Sequence, residues 1–210
     1  MKIPEEIFDH NIWTFVGPMG PRLQNSELLS HPIILVDGGA HHCQKGLIWI
    51  GDSDSNQLNV EVDFFIELNP NKDFSDLKAA FDLFPANSSL ELHLWGFLGG
   101  RNDHQLINLG ESHHFLIQHP QSKIFFYDEF GMLRMIFTSN GTLNLNHQGI
   151  FSLVSLESAE IQIIGNCDYE LTIPTPLLPL SSRGLSNFAH GPVKITTNKP
   201  LLVLFEGKFS

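Results

Sequence analysis

Through the first 130 residues, short apolar runs repeatedly end in polar or glycine-containing stretches. Residues 12–16, 33–36, 47–50 and 62–68 are such runs. Apolar, β-branched stretches of this length read as strands, and those without alternation as strands buried on both faces. Residues 90–95 alternate as a strand, and 124–127 form another candidate. Helical patterns lie between them. Leu77, Ala80, Phe81 and Phe84 recur at helical spacing within 74–84, 106–115 reads as a helix, and Asn25 and Ser26 sit where they cap a short one. Strands alternating with helices predict an α/β fold, a parallel sheet with helices on its faces.

Beyond about Gly131 the texture changes. Residues 142–146, 160–163, 193–195 and 201–205 are short strand candidates separated by Gly, Pro and Asn, without a helical pattern. The expected organisation is an α/β domain over 1–135 followed by a small all-β domain over 136–210. No low-complexity linker separates them, so the two are expected to be closely joined.

In parallel sheets, ligands bind outside the carboxyl ends of the strands. Here every polar cluster follows an apolar run: Asp37-Gly38-Gly39, Gly51-Asp52-Ser53-Asp54-Ser55, Lys72-Asp73-Phe74-Ser75-Asp76, and Gly99-Gly100-Arg101-Asn102-Asp103-His104. Parallel strands bring all four to one edge. Carboxylates gathered this way repel and raise one another's pKa unless a cation compensates. Magnesium suits them, because it takes hard oxygen ligands and bridges to phosphates. Asp52, Asp54, Asp73 and Asp76 are the candidate ligands. Alternatives stay open at each: a solvated turn for Asp52 and Asp54, and helix-dipole preference for Asp73 and Asp76 at a helix start. Lys72 is either a phosphate contact or a surface lysine. Gly99 and Gly100 free the backbone to approach an anion at a helix N-terminus, where Arg101 can grip phosphate oxygens. Among the 11 histidines only His104, beside Asp103, is placed near the site.

Composition narrows the partners. A net charge of −11 argues against nucleic acid, whose backbone needs clustered Lys and Arg. A hydrophobic content of 42%, with 17 Phe, supports a sizeable core. Cys43 and Cys167 form no CxxC pair, which gives no zinc site and fits a reducing compartment. The start of the chain lacks a signal-peptide pattern, and no apolar run approaches the roughly 20 residues that span a bilayer. A soluble, cytoplasmic protein without membrane contact is expected.

The motifs VDGGAHH (36–42), IGDSDS (50–55), PNKDFSDLKAAF (70–81), GFLGGRNDHQLINL (96–109) and GLSN (184–187) stand in the order found in thiamine pyrophosphokinases, which the chain resembles from Ile33 onward. The resemblance implies a Rossmann-like parallel-sheet domain followed by a small β-sandwich domain, in a homodimer. It implies transfer of a pyrophosphoryl group from ATP to thiamine, giving thiamine diphosphate and AMP. Asp37, Asp52, Asp54, Asp73 and Asp76 would then form the Mg²⁺ and phosphate centre, with Asp52, Asp54, Asp73, Asp76 and Arg101 carrying catalysis. Asp37, Gly38, Gly39, Ser55, Lys72, Gly99, Gly100, Arg101, Asp103 and His104 would bind the nucleotide. Ser186, Asn187 and Tyr169 would contact thiamine across the dimer interface. Four positions depart from the family's pattern: Ser53 replaces a large apolar residue, Ser75 a Thr, Phe188 an acidic residue, and Tyr169 aligns with a stacking Trp. The altered acceptor positions keep two rivals in view, pyrophosphorylation of another heterocyclic alcohol such as a hydroxymethylpterin, and a weakly catalytic thiamine- or nucleotide-binding protein.

Overall fold

A computed structural model describes residues 3–52 and 60–206. Ser53, Asp54 and Ser55 of the acidic motif lie outside the described residues. The strands are β1 (Ile12–Val16), β2 (Ile33–Val36), β3 (Lys45–Asp52), β4 (Glu61–Leu68), β5 (Glu91–Trp95), β6 (Lys123–Tyr127), β7 (Leu133–Thr138), β8 (Gly141–Val154), β9 (Ala159–Cys167), β10 (Leu171–Leu177), β11 (Asn187–Thr197) and β12 (Leu201–Phe205). The α-helices are α1 (Asp76–Phe81) and α2 (Asn102–Gln118). All twelve strands form one mixed sheet, ordered β10-β9-β11-β8-β12-β7-β6-β5-β1-β2-β3-β4. Strands β4 to β6 in that order pair in parallel, and every pairing from β6–β7 outward is antiparallel. The fold is therefore α/β with a large mixed sheet.

Alternation along the parallel strands sorts their residues into two layers. Trp13, Phe15, Ile34, Val36, Ile48, Ile50, Leu92 and Leu94 pack beneath α1 and α2, against Leu77, Phe81, Phe115 and Leu116. Val16, Ile33, Leu35, Trp49 and Trp95 point the other way. The sequence pattern predicts helices on the faces of the sheet, but both described α-helices lie on one. The opposite face is covered by loops and short 3-10 turns at Leu28–Ser30 and Asp37–His41. The turn at Leu28 is the short helix expected after Asn25, whose Oδ1 accepts from the N–H groups of Glu27 and Leu28.

The antiparallel half has a second core, with Leu145, Phe151, Ile161, Ile163, Val193, Ile195 and Val203 among its buried residues. Among the described residues no helical one contributes to it, and strand side chains alone make up this core. The long alternating strands β8 and β11 supply much of it. Strand β7 joins the two cores, giving Ile136 to one and Phe137 to the other. Among the described residues no helix is long and apolar enough to cross a membrane.

Candidate functional site

In the parallel half, the strand order reverses between the parallel neighbours β1 and β5, with β2, β3 and β4 laid down beyond β1 and β6 beyond β5. Such a switch leaves a crevice at the carboxyl ends of the strands. Here a cleft of about 480 Å³ opens there, lined by Pro18, Met19, Asp37, Asp76, Arg101 and His104 among others. Its floor is two loops in backbone contact. Gly17 N–H donates to the Trp95 carbonyl at 2.7 Å and Met19 N–H to the Gly96 carbonyl at 3.0 Å. A Cβ on Gly17 would lie 2.7 Å from the Gly96 oxygen, and Gly96 itself has φ +80°, so both positions need glycine.

One wall of the cleft is acidic. Asp37 follows β2 directly with φ +48°, in the left-handed region that Asp tolerates better than most residues. Gly39 sits so close beneath that a Cβ would lie 1.8 Å from the Val16 oxygen. Asp52 is the last residue of β3, and Asp76 opens α1 behind the N-cap Ser75, whose Oγ accepts from Lys78 N–H at 3.1 Å. Lys72 ties them together. Its Nζ lies 3.0 Å from Asp52 Oδ2 and 3.0 Å from Asp76 Oδ1, with only 9% of its side chain exposed. Burial pushes the Asp76 carboxyl up, the Lys72 ammonium opposes this, and the charges of Asp37 and Asp52 push further up. Burial pulls Lys72 down, but the bonds to Asp76 and Asp52 outweigh it and raise the ammonium's pKa.

These donors fit magnesium chemistry in kind. Asp76 Oδ1 is buried, and its contact with Lys72 is an ion pair outside directed hydrogen-bond geometry, which leaves lone-pair capacity on a hard oxygen. Among the described residues no three acidic, His or Cys side chains converge in metal-holding geometry. Asp73 is exposed and precedes α1, so it does not share a helical face with Asp76 as the three-residue spacing predicts. Asp54 lies outside the described residues.

The opposite wall is the segment 96–101 leading into α2. Gly99 and Gly100 have φ +88° and +66°, and a Cβ on Gly100 would meet Met19 Cε at 2.3 Å. The Gly99 N–H, expected to face an anion, donates instead to Gln105 Oε1 at 2.9 Å. Asn108 Nδ2 donates to the Phe97 carbonyl at 3.0 Å, pinning the start of the same loop. Arg101 is exposed and forks onto Asp103, Nε to Oδ1 at 3.1 Å and a terminal nitrogen to Oδ2 at 2.5 Å. That pair holds the Asp103 carboxyl down at about 2. His104 lines the cleft and is exposed. Gln105, Asn108 and Met19 were not singled out from sequence. The available signal was position alone: the first two face back from the first turns of a helix onto the loop before it, and Met19 follows the first switch strand.

The expected acceptor residues form a separate group in the antiparallel half. Asn187 is 5% exposed and uses both ends of its amide on one neighbour. Its Oδ1 accepts from Tyr169 N–H at 3.0 Å, and its Nδ2 donates to the Tyr169 carbonyl at 2.8 Å. The Tyr169 ring is left 67% exposed. Ser186 has φ +58°, and its N–H donates to Ser152 Oγ at 3.0 Å. The three are thus brought together, but five strand positions along the sheet from β5.

No protein-family model matches the chain, and no curated protein matches its sequence. Solved structures do match its fold. It is similar to a thiamine pyrophosphokinase from Bacillus subtilis at 18% identity and TM-score 0.71, over 94% of this chain and 98% of that one. The thiamin pyrophosphokinase from Candida albicans matches at 10% identity and TM-score 0.71, over 93% and 90%. The yeast thiamin pyrophosphokinase matches at 12% identity and TM-score 0.66, over 96% and 89%. Over nearly its whole length, the chain has the fold of the thiamine pyrophosphokinases.

Proposed function

We propose that this protein is a thiamine pyrophosphokinase, moving a pyrophosphoryl group from ATP to the hydroxyl of thiamine. The observation that carries the reading is the cleft at the β1–β5 switch. There Asp37 and Asp76 line the cleft with a glycine-rich loop and Arg101, and Lys72 ties Asp76 to Asp52, within a fold shared with enzymes of that name. Residues 1–135 form the Rossmann-like nucleotide domain and 136–210 the β-sandwich acceptor and dimerisation domain. The enzyme acts in the cytoplasm.

Asp52, Asp54, Asp73 and Asp76 would hold Mg²⁺, with Asp37 joining them in the metal and phosphate centre. When bound, the ion neutralises polyphosphate charge and orients it. Gly38, Gly39, Ser55, Gly99, Gly100, Asp103 and His104 surround the nucleotide, and Arg101 leaves Asp103 to fork onto phosphate oxygens. The thiamine hydroxyl oxygen bonds to the β-phosphorus as the bond from that phosphorus to the oxygen bridging to the α-phosphate breaks. AMP leaves with that oxygen, and an aspartate carboxylate of the cleft takes the hydroxyl proton. The work is mostly positioning and charge neutralisation.

Tyr169, Ser186 and Asn187 lie too far along the sheet to serve the cleft of their own chain, so they complete the site of a partner in a homodimer. Exposed Ile173, Leu178, Leu180 and Leu185 in the same half support such an interface. The exposed Tyr169 and the apolar Phe188 favour one second reading, the same transfer to a different heterocyclic alcohol. The test is AMP release from ATP and Mg²⁺ with thiamine and with a panel of such alcohols. Thiamine-dependent AMP is expected. AMP with another acceptor alone would replace the substrate, and no AMP with any acceptor would leave a binding protein.

A further inference from the structure

We propose that Lys72 is a built-in competitor for the divalent cation, its ammonium occupying the carboxylates of Asp52 and Asp76 in the metal-free protein and leaving them when the cation arrives. This rests on the magnesium reading of the cleft and adds what holds the site before it is loaded.

The argument starts from where the ammonium sits. It contacts two carboxylates from separate elements, the end of β3 and the start of α1, each at 3.0 Å, and only 9% of its side chain is exposed. Lys78, six residues on, shows the ordinary alternative. It pairs with Asp82 one helical turn away, with both side chains substantially exposed, as surface lysines on helices do. Lys72 instead screens two carboxylates that would otherwise repel each other.

A divalent cation needs the same oxygens. An ion held by Asp52 Oδ2 and Asp76 Oδ1 would lie close to the ammonium that stands 3.0 Å from both, and two cations sharing these oxygens would repel strongly in a half-buried site. Loading therefore requires the ammonium to move. Its flexible four-carbon stem permits that and lets the same charge reach phosphate oxygens afterwards. Lys72 then serves two anions in turn, first the empty carboxylates and then the incoming polyphosphate. The metal-free site stays closed and compact, and cation affinity is set partly by the cost of dislodging an internal rival.

The first test uses the wild-type chain. Brief acylation by an amine-reactive reagent, read residue by residue by mass spectrometry, is followed as Mg²⁺ is added without nucleotide. Labelling of Lys72 is expected to rise several-fold while that of Lys78 stays constant. Constant labelling of Lys72 at saturating Mg²⁺ would overturn the proposal. The second test is calorimetric titration of nucleotide-free protein with Mg²⁺. Lys72→Met is expected to bind the ion on the order of tenfold more tightly, since a like charge has been removed from its site; equal or weaker binding would overturn the competition. Asp52→Asn and Asp76→Asn separate the two layers of the argument. If they leave Mg²⁺ binding unchanged, the magnesium reading itself fails. If they weaken it and Lys72→Met does not tighten it, only the competition fails.

Discussion

At the parallel end of the sheet, charged side chains are held by other charged side chains. At the antiparallel end, the residues expected to meet the acceptor are held by backbone. Lys72 bridges Asp52 and Asp76, and Arg101 forks onto Asp103, so each is poised on a counter-charge that a ligand can replace. Asn187 grips both backbone polar groups of Tyr169 and leaves the ring exposed. The first arrangement responds to ions; the second fixes a surface. One chain therefore carries a charged cleft at one end of the sheet and a rigidly held, exposed aromatic surface at the other.

The largest expected effect that sharpens this contrast is Asp52→Asn. Turnover should fall by roughly 10²–10³-fold, as when one preorganised electrostatic group is removed from a transfer centre, with the circular dichroism spectrum unchanged. Activity close to wild type would place Asp52 outside the chemistry. Next comes Asn187→Ala, which strands the N–H and carbonyl of Tyr169. A stability loss of about 2 kcal/mol is expected from denaturant unfolding, together with a raised Michaelis constant for the acceptor and an unchanged one for ATP. If both constants moved equally, the two halves would not divide donor from acceptor as argued.

The smallest effect lies at the other end of the parallel strands. Glu91 opens β5, and its bond to His93 Nε2 at 3.0 Å, against the cost of burial, holds its carboxyl below the ordinary 4.5. Ionised Glu91 therefore stabilises the folded state above that value, and the contribution fades as pH falls through the lowered pKa. Glu91 is partly exposed, so Glu91→Gln should cost under about 1 kcal/mol near neutral pH. The gap in melting temperature should close in acid, and kcat should not change. A gap that persisted in acid would mean that something other than the charge was lost.

Strands with contiguous apolar residues were the most legible part of the sequence. Residues 12–16, 33–36 and 201–205 are strands at those bounds, because burial on both faces leaves an unbroken apolar signature. Strand β10 was not legible: Pro174 and Pro176 read as breakers, and are tolerated because only β9 pairs with it. The single-sided helical layer was hidden as well, since 3-10 turns carry no long periodicity. In the site, convergence on one edge followed from parallel pairing, but the role of Lys72 did not. Its partner Asp52 is twenty residues away and on another element, a relation that no periodicity encodes. Asn187 likewise announced itself only through resemblance, because a buried amide serving a neighbour's backbone has no local sequence mark.

The open ends of the sheet carry one more consequence. A row of unpaired backbone groups invites another strand and, repeated, a growing fibre. On β10 the two prolines lack the N–H groups such an addition needs, and on β4, outermost of the described strands on the other side, Glu61, Asp63 and Glu67 put negative charge along the rim. Two copies approaching rim to rim meet like charge at one border and missing donors at the other. Strand addition is thereby disfavoured at both borders.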